Sequence, residues 1–403
     1  MRAPVERPRL LVVNQYYRPG IEATARVLTE LCEALADEWE ITVVAGTVAG
    51  AAGAGRERRN GVHVRRVAST AFARRRRSLR ALNYLSYLLL ALAAGVRERR
   101  PDVVLAMTDP PLVGAVAAAV ARRHRAPLVA VSQDVFPEVA EALGQLARPA
   151  VAALLRRLAA VPLRRAERVV AIGETMRARL EMKGVPAARL AVIPNWVDTG
   201  ALRPAPRRNA WAREHGLEDA FVVMHSGNLG YAQDLETLVR AAALLGEEAR
   251  VVVVGGGARR ADLAALARRE RAPVRFLPYQ PTGALPLSLS AADVHAVGLA
   301  RGLAGLVVPS RIYGILAVGR PVVVHAEEES ETAQLVRQAG CGLVVPPGEP
   351  EALAAAVREA RTLDLDELGR RAREWVVAHG GRDAAVARYR ALLAEVRSAA
   401  GAR

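Results

Sequence analysis

Pro309, Ser310 and Arg311 head a short helical pattern that Gly319 closes, inside VVPSRIYGILAVGRPVVV (307–324). A hydroxyl, unpaired backbone donors and a guanidinium fork at one helix start suit phosphate oxygens, which arginine binds bidentately. A second turn of related chemistry is SGNLGYAQD (226–234), after an apolar run and before a helix starting near Asp234. Gly227 and Gly230 let the backbone approach an anion, and Ser226 and Asn228 lie in the same turn. A tight strand-to-helix turn that binds nothing explains these residues equally well. Gly255, Gly256 and Gly257 make a third such turn, but not with the Gly-x-Gly-x-x-Gly spacing of a dinucleotide fingerprint. Two anion-friendly helix starts at one sheet edge would suit a diphosphate.

The first half offers Asp134, which ends PLVAVSQD and precedes Glu138. It is a candidate acid, base or hydroxyl-orienting group, and equally a candidate helix cap. The seven histidines (63, 124, 215, 225, 295, 325 and 379) show no metal-type or carboxylate-paired spacing, so no metal site is expected. No serine nucleophile elbow is present. Cys32 and Cys341 read as incidental thiols of a reduced compartment.

These residues need elements to hold them. The 403 residues suit two domains, and 52% hydrophobic content is ample for two cores. Short apolar runs alternate with amphipathic helices: LLVVNQ, ITVVAG, VHVRRVA, DVVLAM, PLVAVSQD, RVVAIG and LAVIPN, then FVVMHSG, RVVVVGGG, VRFLPY, DVHAVGL, PVVVHA and CGLVVPP. Near-continuous apolar strands joined by helices predict two doubly wound α/β domains with parallel sheets, whose ligands sit beyond the strands' carboxyl ends. Domains are expected at 1–195 and 217–382. The segment 196–216, with Pro204 and Pro206, is expected to link them, and a last helix over 383–403 could cross back to the first.

Charge is uneven. Residues 1–190 hold 31 basic and 17 acidic side chains, and residues 191–403 hold 26 and 24. Arg56 to Arg80 carries ten arginines against Glu57 alone, including the run Arg74, Arg75, Arg76, Arg77. Such a patch attracts anionic lipid or polynucleotide phosphate. The apolar stretch after it, ALNYLSYLLLALAAGV (81–96), is shorter than the ~20 residues a spanning helix needs. It reads as a buried core helix, or as one lying on a membrane surface. No signal peptide is read at the start. The arginines are not interleaved with aromatics, so a nucleic-acid binder is disfavoured.

Taken together, IGETMRARLEMKGVPAARLAVIPNWVDT (172–199), SGNLGYAQDLETLV (226–239), VPSRIYGILAVGRPVVV (308–324) and CGLVVPPGEPEALAAAV (341–357), with YYRPGIEATARVLTELCEALA and QDVFPE earlier, resemble bacterial glycosyltransferases of family 4. That is the retaining GT-B class, and the branch is the one that builds surface polysaccharides, including fucosaminyltransferase-like members. The resemblance implies two Rossmann-like domains facing a cleft, with the acceptor on the first and a nucleotide sugar, often UDP-linked, on the second. By position it places Tyr279 against the base, and Gly227, Asn228, Ser310 and Arg311 on the diphosphate. Gly20 would close over the diphosphate, and Asp134 would face the acceptor hydroxyl or donor sugar. It implies a hexosyl or N-acetylaminosugar transferase that needs no cofactor and no divalent metal, since the leaving diphosphate would take the acceptor proton. Two features depart from the family. The glutamates that many members carry eight positions apart are here Leu306 and Gly314, the latter in a donor-binding slot. A lysine common after the glycine loop is here Ala232 or Gln233, so Arg311 would supply that charge. The expected setting is cytoplasmic, peripheral on the inner membrane face, with a lipid-linked or glycan acceptor. An epimerase of the same fold and a non-catalytic basic binding protein are the alternatives.

Overall fold

The computed structural model describes residues 7–20, 23–48, 52–70, 77–146 and 148–401. The chain divides into two units, one running to Pro194 and resumed from Ala385, the other Asn195–Ala384. The helix Arg382–Gly401 thus gives most of its length to the first unit. There Tyr389, Leu392, Leu393 and Val396 are buried, Arg168 pairs with Glu395, and Arg390 pairs with Glu38 at 2.5 Å.

The first unit is built on β1 (Arg9–Val13), β2 (Glu40–Ala45), β3 (Gly55–Arg59), β4 (Val62–Arg66), β5 (Val103–Met107), β6 (Leu128–Ser132), β7 (Arg168–Ala171) and β8 (Leu190–Val192). Their order is β3-β4-β2-β1-β5-β6-β7-β8. The sheet is not wholly parallel, because β3 pairs with β4 antiparallel. Its sequence GRERR has no apolar period and every residue is exposed, as suits a charged edge strand. The central strands β5 and β6 are buried throughout, the mark of a sheet covered on both faces.

The helix Arg77–Gly95 is neither wholly core nor wholly surface. Tyr87, Ala91 and Ala94 are buried, and the Tyr87 hydroxyl donates to the Val44 carbonyl at 2.8 Å, while Leu82, Leu85, Leu89 and Leu90 stay exposed.

The second unit holds β9 (Val222–Ser226), β10 (Arg250–Val254), β11 (Val274–Leu277), β12 (Val294–Gly298), β13 (Val322–His325) and β14 (Gly342–Val345). All pairings are parallel, in the order β11-β10-β9-β12-β13-β14. Both sheets therefore reverse direction beside their first strand, at β1/β5 and at β9/β12, where open α/β sheets present a crevice. The segment expected to be a linker instead packs into the second unit. Arg207 Nε meets both Asp293 carboxylate oxygens at 3.1 Å, Asn209 caps the helix Ala210–Glu214, and Trp211 is buried.

Candidate active site

In the second unit β9 and β12 are paired neighbours at the reversal, and the turns that leave these strands decide the site. The turn after β9 holds Gly227, with φ +146°, a conformation that glycine adopts and other residues rarely do. A Cβ there would stand 3.6 Å from the guanidinium carbon of Arg311, the first residue of the helix Arg311–Ala317. The two expected anion turns are thus brought together, with the guanidinium lying against the backbone of the first.

Arg311 Nη1 stands 3.0 Å from Nδ1 and 2.7 Å from Nε2 of His225, a fully buried residue on β9. Burial first, and then Arg311 and His325, hold the His225 imidazole well below its usual pKa, so it is neutral. Among the described residues no carboxylate pairs with Arg311, and loss of water brings its guanidinium down to about 10. A cation set on a neutral ring in a dry place keeps its whole charge for an incoming anion.

The surrounding turns are fitted closely. A Cβ on Gly255 would fall 1.9 Å from the Gly227 carbonyl oxygen, so the two turns lie backbone against backbone. Tyr279, 49% exposed, caps this ground and donates its hydroxyl to the Gly256 carbonyl at 3.0 Å. Asn228 is exposed beside it, its Oδ1 2.7 Å from where a Cβ of Gly257 would be. Ser310 occupies the helix N-cap without a side-chain cap bond. Gly314 departs from its expected role: a side chain there would meet Leu202 and Leu289 at 3.7 and 3.9 Å, so the position faces apolar packing and not Arg311. Leu306, the other family glutamate slot, is buried.

Spacing hid one pair. His325 at the end of β13 lies 3.3 Å from Asp234, although 91 residues separate them. Asp234 also accepts from Gly348 N–H at 2.8 Å and from the Thr237 hydroxyl at 2.9 Å. His325 Nε2 is buried without a partner, and the ring lies against Gly298, where a Cβ would stand 2.5 Å from that nitrogen. His225 had one visible signal, its place between an apolar run and Ser226-Gly227.

In the first unit Asp134 stands just beyond β6. Its N–H and that of Gln133 donate to Thr108 Oγ1, beyond β5, at 3.3 and 2.9 Å. Asp134 Oδ1 is buried without a partner, and burial pushes the carboxyl up to about 6. It lines a mostly apolar cavity of about 40 Å³ with Met107, Leu112, Val135, Pro162 and Leu163. Asn14 Oδ1 and Gln15 Oε1, just past β1, are likewise buried and unpartnered, which the sequence did not signal. Gly20 lies in the turn beyond them and donates its N–H to the Tyr17 carbonyl at 3.0 Å. Arg74, Arg75 and Arg76 lie outside the described residues, and Arg77 opens the helix Arg77–Gly95 with its side chain also outside them.

Known proteins match both units. Residues 24–201 match the Glycosyltransferase Family 4 model, and residues 207–375 match Glycosyl transferases group 1. The chain is 32% identical over 277 residues, 68% of its length and 69% of the relative's, to WbjE of Pseudomonas aeruginosa, provisionally named a glycosyltransferase. It is 33% identical over 207 residues, half of each chain (50% and 51%), to WcaI of Escherichia coli, provisionally a colanic acid biosynthesis glycosyl transferase. Among solved structures it resembles sucrose-phosphate synthase of Thermosynechococcus elongatus, with TM-score 0.80, 18% identity and 98% and 100% of the two chains covered. It also resembles Anabaena HepE in complex with UDP, with TM-score 0.73, 18% identity and coverage of 96% and 100%. Two Rossmann-like α/β units, matched by two glycosyltransferase models, define an enzyme of the GT-B build. The chain belongs to the glycosyltransferases, with a family 4 first part and a group 1 second part.

Proposed function

We propose that this glycosyltransferase takes a hexosyl or N-acetylaminosugar unit, as fucosaminyltransferase-like enzymes do, from a UDP-linked donor. We propose that it passes the unit to a lipid-linked or glycan acceptor in surface-polysaccharide synthesis. The observation that carries the donor half is Arg311, a guanidinium lodged against Gly227 and neutral His225 with no carboxylate of its own among the described residues. UDP is a named ligand of HepE, and colanic acid biosynthesis is in the name of WcaI. The diphosphate would lie on Arg311, Gly227, Asn228 and Ser310, and the base against Tyr279. Asp134, Asn14 and Gln15 offer buried acceptor oxygens, which suits an incoming hydroxyl rather than a phosphate.

The reaction proposed is retaining. The bond from the anomeric carbon to the β-phosphate oxygen breaks, the acceptor oxygen bonds to that carbon on the same face, and its proton passes to the departing diphosphate. Arg311 meets the charge that grows on the leaving oxygens, the role a divalent ion fills elsewhere, so no metal is required. The working place is the cytoplasm, at the inner membrane face. The test incubates the protein with a panel of UDP-sugars and a polyprenyl-diphosphate-linked acceptor, with and without EDTA. Release of UDP with a product of unchanged anomeric configuration, insensitive to EDTA, is expected. A product of inverted configuration refutes the retaining step. Donor turnover without acceptor modification refutes transfer and points to an epimerase.

A further inference from the structure

Eight of the fifteen large apolar side chains exposed among the described residues stand on two helices of the first unit. Helix Arg77–Gly95 exposes Leu82, Leu85, Leu89 and Leu90, and helix Pro149–Arg165 exposes Val151, Leu154, Leu158 and Val161. Steps of three, four and three place the second set on one side of its helix. Leu85, Leu89 and Leu154 are each more than half exposed, at 55, 61 and 57%. Helix Val113–His124 packs against both and adds exposed Ala115 and Ala119. All three helices connect strands that advance the same way along the sheet, from β4 to β5, β5 to β6 and β6 to β7, and right-handed crossovers put them on one face. Their outer sides therefore make one continuous apolar surface.

Its charge says what covers it. The three helices contain eight arginines and no aspartate or glutamate. Arg122, Arg123, Arg157 and Arg165 are exposed and form no ion pair among the described residues. An apolar band bordered by unpaired cations matches a bilayer interface, where leucines enter the acyl boundary and arginines meet anionic head groups. No described helix is long and apolar enough to cross a membrane. The same helix Pro149–Arg165 turns Ala159, Pro162 and Leu163 inward to the cavity that holds Asp134.

We infer that the outer face of helices Arg77–Gly95, Val113–His124 and Pro149–Arg165 docks on an anionic lipid bilayer, bringing Asp134 beside a membrane-borne acceptor. Its purpose rests on the lipid-acceptor reading, while the docking itself is measured without catalysis. The test is flotation with vesicles of phosphatidylcholine, alone or with roughly one-third phosphatidylglycerol. The parent protein is expected to float with the anionic vesicles only, and less so in high salt. Leu85→Ser with Leu89→Ser, and separately Leu154→Ser with Leu158→Ser, should each lower the partition coefficient about tenfold. Arg122→Gln, Arg123→Gln, Arg157→Gln and Arg165→Gln together should lower it at least as far. UDP affinity and circular dichroism should stay unchanged in every variant, showing the fold intact. Equal flotation by parent and variants overturns the proposal. So does a parent that ignores vesicles but sediments as a dimer the serine variants disrupt, because the face then meets protein. Failure to bind UDP would sink the sugar-transfer reading and leave the flotation result standing.

Discussion

Beyond β9 the protein withdraws a cation from water, and beyond β6 it withdraws an acid. The two units share the strand reversal that opens a crevice, yet Arg311 and Asp134 are unmatched charges of opposite sign. Arg311 stands on a neutral imidazole among closely fitted glycine turns, and burial lowers its pKa. Asp134 stands in an apolar cavity with its Oδ1 unpartnered, and burial raises its pKa. The two units thus bury groups of opposite sign at their rims, a guanidinium in the second and a carboxyl in the first. The difference lies in the residues after each strand, not in the strands.

The largest expected effect breaks the second unit alone. Gly255→Ala places a methyl 1.9 Å from the Gly227 carbonyl at φ +141°, and should cost roughly 3 kcal/mol or more. Thermal unfolding should then split, with only the second unit's transition moved down. A single transition shifted as a whole would mean the units do not melt separately.

Next comes Arg311→Met, which keeps the volume and removes the charge. UDP affinity should fall about 100-fold by calorimetry while the fold persists. Unchanged affinity would end the view that this cation seats the diphosphate.

Asp134→Asn acts oppositely on stability and activity. The carboxyl has a folded pKa of about 6 against an ordinary value of 3.8, so the native state holds its proton more tightly. That advantage is complete below about pH 4 and is lost as pH rises through about 6, where the buried charge costs up to about 3 kcal/mol. The Asn variant should therefore be more stable than the parent in denaturant titrations at pH 8, less so near pH 5, and lower in transfer rate. Equal stability at pH 8 would show the acid to be well solvated.

The smallest effect sharpens the boundary of the anion seat. Gly314→Ala meets Leu202 and Leu289 at ordinary contact distances in a helix interior, so it should gain about 0.5–1 kcal/mol and leave UDP affinity unchanged. A loss of affinity would return Gly314 to the donor site.

Much of this was legible in the residues. The six strands of the second unit coincide with its six apolar runs, because buried parallel strands leave a continuous signature. Gly227 and Arg311 were readable because strand ends and helix starts are marked by glycine, serine and proline. The β3 hairpin escaped, since GRERR gains its pairing from β4 and not from burial. The His325–Asp234 contact escaped because tertiary folding, not spacing, joins positions on β13 and beyond β9. The exposure of Leu154 escaped because hydrophobicity shows which faces are apolar but not which find a partner.

The helix Arg382–Gly401 has a consequence for how the protein comes into being. During synthesis the second unit emerges whole, whereas the first waits for Tyr389, Leu393 and Val396, nearly two hundred residues after its last strand. The half made earlier is the half completed later, so a ribosome that stalls after Ala384 leaves a nascent chain whose first hydrophobic core is still missing a wall.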